Sequence, residues 1–294
     1  MLPFTGLNDP GSVAVDTAGN VYVADKMNHR VVKLEAGSST QTVLPFPTGP
    51  DGLQYPAAVA VDKEGTVYVS DCSAASRVWK LEAGTSTPFV LLNDVVDDFG
   101  LAVDEAGNLY GTAIFAATLD THIPRARVWK LAAPTGSTPV TELPFTGLHI
   151  PSGVAVDTAG NLYVIDRPRG ANYGEVAGDP KLGSHQVVKL SADLTTQTVL
   201  PFTVNGLRGV AVDSAGTVYI SNVHNAGTNE APVPDDIWVL KLEAGSSTQT
   251  VLPFTGLKAP KAVAVRPPWM GPDPAGNVYV SDVLNNQVLK LGAG

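Results

Sequence analysis

Cysteine is nearly absent. Cys72 stands alone in 294 residues, which excludes an internal disulfide and paired-cysteine zinc spacing. No apolar run approaches the roughly 18 residues of a membrane-spanning helix. Charge is sparse, at 16% of residues, and tilts acidic to a net −9. No Lys/Arg cluster occurs, which sets the chain against nucleic acid, whose binding is dominated by phosphate neutralisation. The same lack argues against an anionic membrane surface. Catalytic signatures are missing as well. There is no Gly-x-Ser-x-Gly, no His-Glu-x-x-His, no phosphate loop and no dinucleotide fingerprint. No leader precedes the first repeat, so the chain as written reads as cytoplasmic.

What is present is repetition. Val13-Ala14-Val15-Asp16, Ala18-Gly19-Asn20, Val21-Tyr22-Val23 and Val31-Val32-Lys33-Leu34 form one unit, and the pattern restarts at Val59, Leu101, Val154, Val210 and Val263. A period of roughly 40 to 55 residues with four strand-like runs per copy specifies a β-propeller, one blade per repeat. The alternation of small Ala with Val suits the crowded strand nearest the axis. Asp opens the following turn, and Gly supplies the positive φ of a tight hairpin. Gln-Thr-Val-Leu-Pro-Phe, whole at 41–46, 197–202 and 249–254, reads as the outer strand, where an edge tolerates proline. The chain ends after a third-strand run and begins with Leu2-Pro3-Phe4, so the N-terminal residues are expected to complete the last blade. The expectation is one all-β domain over 1–294, a six-bladed β-propeller of four-stranded blades. Its repeats fall near 2–42, 43–89, 90–141, 142–198, 199–250 and 251–294.

The Leu-Pro-Phe-Thr-Gly-Leu, Gly-Val-Ala-Val-Asp-Thr-Ala-Gly-Asn and Arg-Val-Val-Lys-Leu strings closely resemble NHL repeats. They look like the extracytoplasmic sensor propeller of mycobacterial serine/threonine kinases of the PknD type. The resemblance implies a six-bladed ring with a cupped binding surface, extracytoplasmic if the chain was cut from a receptor kinase. It carries over no catalytic residue, and no kinase motif is present.

Function is sought where the repetition breaks. Loops after the second and fourth strands share one face, termed the top. Three second-to-third loops are long there, with 14 residues between Ala113 and Val128, 20 between Asp166 and Val187, and 16 between Asn222 and Val239. Long loops in a compact domain are usually functional, and a partial lid over the axial mouth is the expectation, against neutral drift. The residue just before each innermost strand forms a second set: Gly11, Ala57, Phe99, Ser152, Arg208 and Lys261. Arg208 and Lys261 favour a carboxylate or phosphate, and Phe99 offers an apolar wall. Asp97 and Asp98 could instead neutralise the cations, leaving a solvated rim. Tyr173, in a long loop, could donate to an oxyanion.

Asp25, Asp71, Asp166 and Asp282 each end a second strand. Converging carboxylates could hold Ca²⁺ or Mg²⁺, whereas a residue repeated in most blades suits a loop cap. No other cofactor is expected. The histidines His29, His122, His149, His185 and His224 fall in or beside top-face loops. His149 and His224 with Glu230 make the best acid–base set, against ordinary surface histidines. Glu175, Asp235 and Asp236 are further loop acids. Cys72 follows Asp71, an unfavourable neighbour for a thiolate. Trp79, Trp129 and Trp238 read as core. Trp269 lies in an insertion, Arg266–Pro272, in the bottom turn of the last blade, as a protein contact or folded back on its blade. Two functions remain open: a sensor-like module taking a small, anionic molecule or peptide at the top axial pocket, or a propeller enzyme of streptogramin-lyase or strictosidine-synthase type using the same pocket. The expected state is a monomer.

Overall fold

Period-two alternation makes each repeat a meander of antiparallel strands. A computed structural model describes residues 1–74, 76–93, 100–115, 125–134, 139–167, 185–204, 206–223 and 237–292. In the first blade the strands are Pro10–Val15, Val21–Asp25, Arg30–Leu34 and Gln41–Val43, hydrogen-bonded in that order from axis to rim. Five sheets have four strands and the last has three, Pro260–Val265, Val278–Asp282 and Gln287–Leu291. The missing place in that sheet is taken by the N-terminus. Leu2 N–H donates to the Val288 carbonyl at 2.9 Å, the bond Leu44 makes to Val31 in the first blade. Leu2 and Phe4 then pack on a cluster containing Val13, Val15, Val23, Val32 and Val288. The six-bladed ring is closed by its two ends, as the sequence indicated.

The two middle strands of each blade are covered on both faces, which is why they carry β-branched residues in unbroken runs. Val23, Val32, Val69, Val164 and Val280 are fully buried. Each such side chain contributes about 1.5–3 kcal/mol of burial. At the bottom of the first five blades a latch recurs. Asp16 Oδ1 accepts Ala18 and Asn20 N–H, both at 2.9 Å, and its Oδ2 accepts the Tyr22 hydroxyl at 2.9 Å. Gly19, at φ 83°, makes the turn possible. The phenol of Tyr22 is pushed up by burial and by the adjacent Asp16 charge. Four further Tyr–Asp pairs repeat the latch: Tyr68–Asp62, Tyr110–Asp104, Tyr163–Asp157 and Tyr219–Asp213.

The innermost strands contain a feature that periodicity alone could not show. Pro10 pairs with Asp25 and Ser12 with Ala24, so Gly11 is an extra residue, a β-bulge. Ala57 and Ser152 are the extra residues in their strands, Pro56–Val61 and Ile150–Val156. One extra residue also lies between Leu207 and Val210, and another between Pro260 and Val263. The residues expected just before these strands therefore sit inside them, at bulges. A bulge re-aims side chains that regular pleating would place between blades.

The lower end of the axis is occupied. Residues Pro268–Met270 form a short 3₁₀ turn. Trp269 reaches from the last blade to the buried cluster of the second and third, which includes Ala60 and Val103. With Pro267 and Pro268 it lines a lower axial cavity of about 130 Å³. The insertion folds inward as a floor.

Candidate functional site

The top-face cavity is built outward from the bulges. In four blades a buried Asp at the end of the second strand fixes the incoming inter-blade segment. Asp25 Oδ1 accepts Asn8 N–H at 2.7 Å, and Asp71 Oδ1 accepts Gln54 and Tyr55 N–H at 3.0 and 2.5 Å. Asp166 Oδ1 accepts His149 and Ile150 N–H at 2.8 and 2.9 Å, and Asp282 Oδ1 accepts Ala259 N–H at 2.7 Å. Each carboxylate is thus engaged within its own blade, as a cap would be. They do not converge, and no group of three potential metal-ligating side chains occurs among the described residues. These four Asp carboxylates hold the chain entering four of the bulges and so help set the position of the ring.

The ring encloses a cavity of about 390 Å³, lined by Gly11, Ala57, Ser152, Arg208 and Lys261 among others. Close approach of the strands requires glycine. A Cβ on Gly209 would lie 2.8 Å from Ala262 Cα, and one on Gly100 2.9 Å from Gly153 Cα. Two further cations line the cavity, Lys26 and Arg167. Both follow the recurring Asp by one residue, as does Cys72, which also lines it. This second ring of positions was missed in the sequence. Its signal was available as the unequal residue immediately after an equal one.

Four cations therefore come from four consecutive blades: Arg167, Arg208, Lys261 and Lys26. No carboxylate lines the cavity among the described residues. Burial lowers the Arg167 guanidinium to about 10, with the Arg208 charge adding to the effect and Asp166 opposing it. Burial likewise lowers Arg208 and Lys261. For Lys261, Asp9 opposes the shift, while Lys26 and Arg208 reinforce it. Lys26 Nζ stands 3.8 Å from Asp9 Oδ2. The Ser152 hydroxyl is buried and has no hydrogen-bond partner among the described residues.

The structure brings together Ser152, Arg208 and Lys261 of the expected ligand set. Phe99, Asp97, Asp98, Tyr173, His122, His224, Glu175, Glu230, Asp235 and Asp236 lie outside the described residues, and so does most of the expected lid. Flanking strands run into one of these loops, Leu109–Phe115 and Arg125–Leu131 pairing out to Phe115 and Arg125. The connection there is residues 116–124. His149 Nδ1 is 3.3 Å from Asp166 Oδ2 and its side chain is half exposed, but it does not line the cavity. His29 makes an edge contact with Tyr55 and bonds the Gln54 carbonyl.

Comparison with known proteins agrees with this architecture. The NHL repeat family matches residues 7–34 and 53–81. The serine/threonine-protein kinase PknD of Mycobacterium tuberculosis is 58% identical over 50 residues, 16% of this chain and 8% of the kinase. The matched stretch is thus a small fraction of that relative's length. A chain in a nidogen/laminin complex superposes with a TM-score of 0.64 at 19% identity, covering 90% of this chain and 86% of its own. Virginiamycin B lyase from Staphylococcus aureus gives 0.59 at 12% identity, covering 98% of this chain and 85% of the lyase. At such identities the likeness is one of fold, and the fold hosts both binding proteins and enzymes. No helix among the described residues is long and apolar enough to cross a membrane.

Proposed function

We propose that this six-bladed propeller, which carries NHL repeats, is a ligand-binding module whose top axial cavity takes an anion. One observation carries the reading: an acidic chain of net −9 places four cations around a single cavity. A concave site whose described lining is positively charged focuses an attractive field on anions. The orphaned Ser152 hydroxyl adds a donor. The short PknD match is compatible with a sensor role. Catalysis has weaker support, since the one described His–carboxylate pair, His149–Asp166, stands away from the cavity lining.

The test is thermal unfolding in chloride against inorganic phosphate or acetate at equal ionic strength. A ligand at about 100 times its Kd stabilises by about 2.7 kcal/mol, which raises Tm by roughly 5 °C in a chain of this size. Arg208→Met should abolish the increment. An equal rise in the variant would remove the cavity from the explanation.

A further inference from the structure

Among the described residues, three exposed large apolar side chains stand on the top face, on consecutive blades. Leu284 of the sixth blade is 60% exposed, Met27 of the first 48%, and Tyr55, entering the second, 40%. Val43, Phe89, Val140, Val199 and Val251 are also exposed, but singly, on the outer strands of five separate blades. Scatter of that kind is ordinary. The rim trio differs because hydrogen bonds join its supports. Asp9 N–H donates to Asn286 Oδ1 at 3.0 Å, and the Asn8 and Asp9 carbonyls accept Met27 and Lys26 N–H at 3.1 and 3.3 Å. His29 then bonds the Gln54 carbonyl and meets the Tyr55 ring edge-on.

Met27 and Leu284 hold matching places in two short turns, Lys26–Asn28 and Val283–Asn285. Each turn is braced by its asparagine. Asn28 Nδ2 donates to the Gly6 carbonyl and Asp25 Oδ2, and Asn285 Nδ2 to the Gly256 carbonyl and Asp282 Oδ2. A surface fixed in advance loses less freedom when it is covered, and Tyr and Met are enriched where proteins meet. Lys26, one residue before Met27, lines the cationic cavity. An apolar arc therefore borders a positive well.

We propose that the top face captures the free carboxyl terminus of a partner polypeptide whose last residues are apolar. This rests on the anion-binding reading above and names its partner class. The terminal carboxylate enters the cavity, where charge complementarity favours it. The side chains before it lie over Met27 and Leu284 toward Tyr55. The cavity, about 390 Å³, is at the low end of ligand pockets, roughly 300–1,000 Å³, and the axis narrows below it at Trp269. That space suits one chain end, not a loop that enters and returns. Ala57, Ala58 and Gly100 in the lining leave room for a small final residue.

The experiment is calorimetric titration of the purified chain with acetyl-Ser-Leu-Phe-Leu-Ala as the free acid, with the same peptide as its carboxamide, and with acetate. The free acid should bind at least about tenfold tighter than either of the others, about 1.4 kcal/mol. Met27→Ser combined with Leu284→Ser changes two exposed side chains. It should weaken the free acid at least about fivefold and leave acetate within about twofold. Equal binding of free acid and carboxamide overturns this inference alone, as does a free acid no tighter than acetate or one indifferent to the double change. A dimer on gel filtration that the double change dissociates would assign the patch to a second copy and overturn it too. Binding of neither acetate nor the free acid overturns the anion-binding reading itself.

Discussion

The Tyr–Asp latch offers the sharpest test of how the blades are held. In the fourth blade Tyr163 is 3% exposed and donates its hydroxyl to Asp157 Oδ2 at 3.0 Å. Tyr163→Phe removes that donor and little else. The ring stays for Lys189, whose Nζ lies 5.3 Å from the ring centre. Asp157 also keeps Ala159 N–H at 3.0 Å and Asn161 N–H and side-chain N–H at 2.8 Å each. A hydrogen bond to a charged group contributes about 1.5–3 kcal/mol. With three donors retained, the loss should fall at the lower end, about 1.5–2 kcal/mol, or a Tm drop of roughly 2–4 °C. The loss should depend on pH. Burial, then the Asp157 charge, raises the Tyr163 phenol above its ordinary value of 10.0. A raised group contributes stability that is complete below the unfolded value and is lost as pH climbs toward the folded one. The gap between parent and variant should therefore be full at pH 8 and shrink steadily above pH about 10. Urea unfolding at pH 8, 9.5 and 11 measures it. A variant as stable as the parent at pH 8, or a gap unchanged at pH 11, would refute the latch.

Other expectations follow from the ring. Lys261 is held below its ordinary value of 10.5 chiefly by burial, so its contribution destabilises the fold below the folded value and fades as pH rises to 10.5. Ligand-free Lys261→Met should accordingly melt higher than the parent at pH 7.5, with the difference closing by pH 10.5; a lower melt at pH 7.5 contradicts the assignment. Gly209→Ala places a Cβ 2.8 Å from Ala262 Cα and should cost about 1–3 kcal/mol in urea unfolding. Gly37→Ala, with nothing within 4 Å but a φ of 75°, should lose only about 1 kcal/mol. Removing residues 1–5 deletes the Leu2–Val288 bond and the packing of Leu2 and Phe4. Roughly 2–4 kcal/mol should disappear for two partly buried side chains, and an unchanged urea midpoint would show that closure lies elsewhere.

Strand type, order and ring closure were legible in the sequence because period-two alternation and turn glycines act locally. The bulges were not, since an extra residue shows only against the partner it fails to pair with. Arg208 and Lys261 stood out because neighbouring repeats carry small residues at that place, Gly11 and Ala57. Arg167 was overlooked because Asp166 beside it drew attention as a repeated carboxylate. The inward fold of Trp269 could not be read either. Its partners Ala60 and Val103 lie 209 and 166 residues earlier in the chain and come together with it only when the ring closes.

The Trp269 floor has a kinetic consequence. A wheel open at both ends would let a solute pass straight through, but Pro267, Pro268 and Trp269 narrow the lower end. Trp269→Ala should therefore widen a second way out of the hub and raise the rate at which an occupant escapes, without altering the residues that line the upper cavity.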